Sequence, residues 1–189
     1  MRAHLSIVSA LAIPLLLTAT SAEARPASTG IYAEAGLGGT GFLGEAGDFS
    51  KLGPSLGMRI GYDLFSWLSV GGYTFASTHE ATVPAPPEGE YYQLYTAAAD
   101  ARLGFRVGWF AMYLSGGIGA GAISSNVLDK VGIVEPGQSY SFVLNAGGGF
   151  EYQLQNRHYA FGLDAGWSQY ANFDTSQAVT VRTFLRYTY

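Results

Sequence analysis

Between Tyr140 and Leu154 the chain alternates without a break. Tyr140, Phe142, Leu144, Ala146, Gly148, Phe150, Tyr152 and Leu154 hold one phase. Ser141, Asn145, Gly147, Gly149, Glu151 and Gln153 hold the other. In a strand, successive side chains point to opposite faces, so period two predicts a strand with one apolar face and one polar face. The run is longer than an ordinary globular strand of about 5–6 residues. A fold built from such segments needs a wide apolar surrounding on one side and a polar one on the other.

The pattern recurs along the chain. Tyr95, Ala97, Ala99, Ala101, Leu103 and Phe105 oppose Thr96, Asp100, Arg102 and Arg106. Leu56, Met58, Ile60 and Tyr62 oppose Ser55, Arg59 and Asp63. Tyr159, Phe161, Leu163, Ala165 and Trp167 oppose Gly162, Asp164 and Ser168. Val179, Val181, Leu185, Tyr187 and Tyr189 oppose Thr180, Arg182 and Arg186, and Ile31, Ala33, Ala35 and Leu37 oppose Tyr32, Glu34 and Gly36. Trp67–Ser77 and Trp109–Ser124 are also strand-like, with Tyr73, Phe75 and Tyr113 off-phase. Eight strands are therefore expected. A repeat supports the number: Gly61-Tyr62, Gly104-Phe105 and Gly149-Phe150 each lead through a short turn into Trp67, Trp109 and Tyr159. Longer connections, at Gly39–Gly53, Thr78–Glu90, Ile123–Gln138 and Gln169–Gln177, separate the units.

Short turns at one end and long loops at the other match a transmembrane barrel of antiparallel strands. The aromatics near the short turns are expected to form its interfacial girdle: Tyr62, Phe65, Trp67, Phe105, Trp109, Phe110, Phe150, Tyr152 and Tyr159. A soluble barrel with the faces reversed would expose an unbroken belt of Tyr, Phe, Leu and Trp to water. A helix over Gly108–Leu128 fits the lack of charge there, but the segment occupies the phase of a strand in the repeat, and a lone helix has no place in a barrel wall.

The N-terminus reads as an address. Met1-Arg2-Ala3-His4 precedes the mostly apolar Leu5–Leu17, and Ala22-Glu23-Ala24 offers small residues for cleavage. That is the layout of a secretory signal peptide, with removal of 1–24, a short segment 25–29 and a barrel over 30–189 expected. A spanning helix would need about 20 apolar residues. The chain has no Cys, so disulfides and cysteine metal sites are excluded. A net charge of −4 disfavours nucleic acid as a partner.

The charges sort by phase. Glu34, Asp63, Asp100, Glu151 and Asp164 face inward with Arg59, Arg102, Arg106, Arg182 and Arg186. Five acids and five arginines, with no lysine, predict a closed ion-pair network in the lumen, because a planar guanidinium holds carboxylates well in a confined site. Inward glycines leave room for it: Gly36, Gly57, Gly61, Gly104, Gly117, Gly119, Gly147, Gly149 and Gly162. Either a plugged polar core or a narrow pore for small solutes accounts for the same set. The loops carry Glu45, Asp48, Glu80, Glu88, Glu90, Asp129, Glu135 and Asp174 against Lys51 and Lys130. That surface disfavours polyanions. It holds no EF-hand pattern, so neither a metal nor a cofactor is expected.

With these residues, the chain resembles the small eight-stranded outer-membrane β-barrel family, the OmpA-transmembrane and OmpX-like group, over about residues 30–189. Tyr187 and Tyr189 match the alternating aromatics of its C-terminal insertion signal and Arg182 its polar position. The last residue is Tyr rather than the commoner Phe, and Phe184 holds the glycine position. The resemblance implies an all-β up-and-down barrel in the outer membrane of a Gram-negative-type cell, with both termini periplasmic. Outer-membrane lipid and the barrel-insertion machinery are the implied partners. A monomer with a structural or surface-interaction role, and an unknown extracellular ligand, completes the expectation.

Some such barrels modify lipid A, and acyl hydrolysis needs a nucleophile, a base and an orienting group. Ser77, His79 and Glu80 are the candidate set, with Ser77 and His79 on one strand face; no catalytic residue is assigned, and the chain is read as non-enzymatic. His158 reads as a turn residue. Gly36–Gly41 fits GxGxxG, but no helix follows to present its N-terminus to a phosphate. Pro84–Pro87 stiffens a loop.

Overall fold

The computed structural model describes residues 29–82, 89–124, 139–155, 158–173 and 176–189. Residues 1–24, expected from the sequence to be a signal peptide, and loop residues including Pro84–Pro87, Glu88, Asp129, Lys130, Glu135 and Asp174, lie outside them. Eight strands follow one another: β1 (Ile31–Leu43), β2 (Gly53–Phe65), β3 (Leu68–Glu80), β4 (Tyr91–Val107), β5 (Phe110–Ile123), β6 (Tyr140–Gln153), β7 (Tyr159–Tyr170) and β8 (Gln177–Thr188). Each pairs antiparallel with its neighbours in sequence, and β1 closes on β8. Closure gives every strand two partners and leaves no edge, the condition for a sheet in lipid.

The outward phase is predominantly apolar away from the loop-end rim. Leu56, Met58 and Ile60 on β2, Leu103 and Phe105 on β4, Leu114 and Ile118 on β5, and Phe142 and Leu144 on β6 are all exposed. The soluble alternative is thereby overturned, since the apolar set lies outside and the charged set inside. The helix weighed over Gly108–Leu128 is replaced by a strand where the segment is described: Phe110–Ile123 is β5. The connection expected over Gly39–Gly53 is shorter, because β1 continues to Leu43 and Gly53 already pairs with Thr40. Between them sits a single turn of helix, α1 (Glu45–Asp48). Its four residues are too short to signal themselves by periodicity.

The short turns are tight. β4 and β5 are joined by Gly108-Trp109, where Gly108 holds φ +61°. A positive φ at a two-residue hairpin turn is the geometry that follows the twist of the strands, and glycine adopts it without strain. Ser66-Trp67 joins β2 to β3, with the register slipping between Asp63 and Phe65.

Off-phase residues resolve inward. Tyr73 lies opposite Arg59 and Phe75 opposite Gly57, both on the lumen phase. Tyr113 faces Gly104 across β4. The Phe75 and Tyr113 rings fill space that the facing glycines leave. The inward phase of the loop end is apolar instead. Phe42, Tyr92, Leu94, Ile123, Val143, Tyr170 and Ala178 pack there with Ala46 of α1 and Phe173.

Candidate functional site

The lumen is layered along the barrel axis. Toward the short turns, inward charges and rings alternate with small residues, and β1, β2, β4, β7 and β8 bring Glu34, Arg59, Arg102, Asp164 and Arg182 together. Glu34 is the centre. Its Oε1 accepts from Arg59 Nη1 at 3.2 Å, from Arg102 Nη2 at 3.0 Å and from Arg182 Nη2 at 2.8 Å. Arg59 has a second carboxylate in Asp100, at 2.9 Å. Arg182 has one in Asp164, which it grips through Nε at 2.9 Å and Nη2 at 2.7 Å in a side-on fork. A second layer lies nearer the turns. Arg186 bonds Asp63 and reaches Glu151 Oε2 at 3.4 Å, while Arg106 Nη2 donates to Glu151 Oε1 at 2.9 Å and its Nη1 to Gln153. All ten inward charges have an opposite partner. Buried singly, each would carry a desolvation cost of several kcal/mol.

Aromatic rings separate and support these layers. Arg186 lies over the Tyr32 ring at 3.9 Å, Arg102 over Tyr113 at 4.4 Å, and Arg59 over Tyr73 at 5.3 Å. A guanidinium stacked on a ring keeps its in-plane donors for carboxylates. Tyr113 also donates to Asp164 Oδ2 at 3.2 Å. Tyr32, Tyr73, Tyr113, Phe184, Ser69 and Gln153 were not singled out by charge sorting. For the four aromatics the available signal was a ring on the polar phase; for Ser69 and Gln153 it was polar-phase position alone. Phe184 stands between Gly36 of β1 and Gly162 of β7 in register, and its ring covers Gly162. The departure from glycine at 184 is thus matched by glycine on both neighbouring strands.

Between the charges and the apolar cap lies a polar chamber of about 70 Å³, lined by Arg59, Tyr73, Thr96, Ser115, Asn145, Gly166, Ser168 and Arg182 among others. Below the network a second space of about 40 Å³ reaches the β2–β3 turn, lined by Asp63, Ser69, Arg102, Arg106, Glu151 and Arg186.

Ser77 and His79 are brought together on the inward phase of β3. Their Oγ and Nε2 are 2.8 Å apart, and His79 Nδ1 lies 3.1 Å from the Lys51 carbonyl oxygen. With Nδ1–H donating to that carbonyl, Nε2 accepts from the serine. Outward residues at this level are polar, Thr78, Glu80 and Gln93, so the pair sits at the rim. Burial pushes the imidazole below its ordinary range, and the hydrogen bond to the Lys51 backbone opposes this in part. Glu80 is not part of the group: it faces outward and pairs with Lys51 at 2.6 Å. Alternation explains this, since residue 80 must oppose residue 79. Both Ser77 and His79 are buried, and the imidazole lies between the Phe42 and Tyr92 rings at 5.0 and 5.5 Å. The arrangement ties β3 to the chain entering β2. Elsewhere, His158 Nδ1 lies 2.8 Å from the Thr188 carbonyl oxygen beside the last strand. Gly36–Gly41 is plain strand inside β1. No group of three or more potential metal ligands occurs among the described residues.

Of the aromatics near the short turns, Tyr62, Phe65, Trp67, Phe105, Phe110, Phe150, Tyr152 and Tyr159 are exposed on the outer wall, and Trp109 sits half-buried in its turn. Phe65 stacks on Trp67 and Phe110 packs on Tyr152. Tyr187 on β8 and Tyr189 just after it meet edge to face, while Arg182 points into the lumen.

Comparison with solved structures finds the same architecture. Neisserial surface protein A superposes with a TM-score of 0.62 at 14% identity, over 84% of this chain and 97% of that one. OprG from Pseudomonas aeruginosa gives 0.60 at 13% identity, over 87% and 98%. Ail of Yersinia pestis, solved in complex with a heparin analogue, gives 0.54 at 15% identity, over 86% and 99%. At these identities the likeness is one of fold. No curated protein matches the chain in sequence. The model of the outer membrane protein beta-barrel domain family matches residues 10–184. The match covers most of the chain, its closed eight-stranded wall is a barrel of that kind, and the chain belongs to this family of outer-membrane barrels.

Proposed function

We propose that this protein is a monomeric, non-enzymatic barrel whose filled lumen makes it a rigid membrane scaffold and whose acidic loop end is an interaction surface. The observation that carries the reading is the lumen itself. Five arginines and five carboxylates pair across it, rings pack between them, and an apolar cluster caps the loop end. A solute pathway would have to break buried ion pairs and displace that cluster together. In this reading the aromatics near the short turns sit at the periplasmic interface, with both termini on that side. Arg182, Tyr187 and Tyr189 form the signal read by the insertion machinery, and outer-membrane lipid surrounds the wall. The loops carry a strong acidic excess. Their ligand is accordingly a neutral or cationic surface rather than a polyanion.

A lipid-modifying hydrolase is the second reading, and the Ser77–His79 hydrogen bond is the observation that favours it. Against it stand the burial of both groups and the backbone carbonyl in place of an orienting acid. The experiment is conductance: purified protein in planar bilayers is expected to give no single-channel steps, and regular steps would replace the scaffold with the pore. Mass spectrometry of lipid A from cells expressing wild type or Ser77→Ala tests the hydrolase, with identical spectra expected.

A further inference from the structure

We propose that the outer wall holds the two acyl chains of one membrane lipid in a groove over β3, β4 and β5, in the half of the wall nearer the loops. The strand register lays the groove out. On one rung Met58, Thr74, Ala97, Ala120 and Phe142 stand side by side on β2 to β6, all on the outer phase. The three middle residues are small and the two flanking ones are bulky. Toward the short turns, Gly72 and Ala99 continue the floor beside Ile60, and Ala101 extends it along β4. A row of leucines, Leu68, Leu103 and Leu114, then closes it. At the loop end Tyr95 and Tyr140 flank Ala122 in register. The hollow so formed has a volume of about 490 Å³, walled by Leu56, Met58 and Tyr140, and its described lining carries no charged side chain. The hollow over β1 and β8 differs, because each of its rungs carries a leucine, Leu37 beside Thr183 and Leu185 beside Ala35.

The groove is continuous with the apolar wall of a membrane barrel, so lipid is what covers it. In lipid the hydrophobic effect does not drive association, and retention rests on van der Waals packing. A chain against the bulky parts of the wall touches protein along one side. Two chains laid in the groove touch its floor, a wall each and one another, and many weak contacts sum to a strong one. The dimensions fit. Thr74 to Ala120 is two strand spacings, about 10 Å, the width of two chains side by side. Tyr95 to Ala101 is about 20 Å of strand, which at the usual barrel tilt is about 15 Å of depth, or one leaflet of an about 30 Å core. Tyr95 and Tyr140 are exposed at the loop-end mouth, the level at which tyrosine belts meet headgroups. The site needs the wall alone, and it holds whichever side of the membrane the loops face.

Native mass spectrometry tests this on the full protein, reconstituted with dimyristoylphosphatidylethanolamine and extracted in mild detergent. Wild type is expected to carry one retained lipid per protein. Ala97→Phe combined with Ala120→Phe fills the floor and is expected to lose it. Both positions are exposed to lipid, so the gel mobility of the unheated variant is expected to stay that of wild type. Thr183→Leu fills the other hollow and is expected to keep the lipid. A wild type that retains none, a filled variant that retains as much, or equal loss in Thr183→Leu overturns the proposal. So does a wild-type dimer that the filled variant breaks, since a second copy would then cover the groove. Should the double variant fail to fold, wild-type crystals grown from the same lipid decide: tail density over Ala97 and Ala120 is expected, and a groove without it overturns the proposal.

Discussion

At the scale of single residues, Glu34 and two inward glycines show how closely the lumen is fitted. Glu34 alone joins three arginines, and it is 3% exposed. Glu34→Ala would leave Arg102 without a carboxylate and Arg59 and Arg182 with one each. Breaking a buried pair by removing one partner costs about 3–5 kcal/mol, so the urea midpoint of the refolded barrel is expected to fall by that much stability. An unchanged midpoint would show the network to be dispensable. Inward glycines are not equivalent. A Cβ at Gly119 would stand 2.1 Å from the Ala97 carbonyl oxygen and 2.4 Å from Ala98 Cβ, contacts that only a shift of β4 would relieve. At Gly166, which lines the chamber, the nearest atom would be the Ala146 carbonyl oxygen of neighbouring β6, 3.9 Å away. Gly119→Ala is therefore expected to destabilise the fold by about 1–3 kcal/mol, as overpacking does. Gly166→Ala is expected to leave the unfolding midpoint and the gel mobility of the unheated protein unchanged. Equal effects at the two sites would mean that strand approach is not what fixes glycine at 119.

At the scale of the element, each strand divides lipid from lumen by parity alone. β4 makes the clearest test, because Ala99 is exposed on the outer phase at mid-strand while Gln93 is half-buried near the rim. Ala99→Arg is expected to lower the folding free energy by about 2–4 kcal/mol in lipid vesicles, and Gln93→Arg by about 0–1 kcal/mol. Similar costs at both depths would place the apolar belt elsewhere on the wall. Parity is also why so much of the fold was readable. Wherever one face is apolar and the other charged, as in β4 and β6, alternation gives the strand and its faces together. It fell short in β3, where Tyr73 and Phe75 are apolar and yet face the lumen opposite Arg59 and Gly57. Only pairing to β2 settles such a strand, and pairing is a tertiary property. Placement of the charges was legible for the same reason. The choice of partners was not, because Glu34 meets Arg182 across 148 positions of sequence through closure of the barrel. Glu80 separated from His79 by the same parity that joined Ser77 to it.

At the scale of the whole molecule, the question is whether a closed wall with a filled lumen behaves as one cooperative unit. Every strand has two hydrogen-bonded neighbours, including β1 through β8. Some ion pairs join neighbouring strands, Glu34 with Arg59 and Asp164 with Arg182, and others cross the lumen, as Arg186 of β8 to Asp63 of β2 and Arg102 of β4 to Glu34 of β1 show. Opening any seam would break ladder bonds on that seam and strand buried charges inside. Partial opening is therefore disfavoured, and detergent alone does not supply the energy for it. The unheated protein is expected to migrate as a compact band in a mild SDS gel, and the boiled protein as an unfolded one, with no species between. Glu34→Ala is expected to keep the two bands and shift the conversion to a lower temperature. A ladder of intermediate bands would show that the wall opens strand by strand. The lumen network would then be a passenger of the fold rather than the reason it closes as a whole.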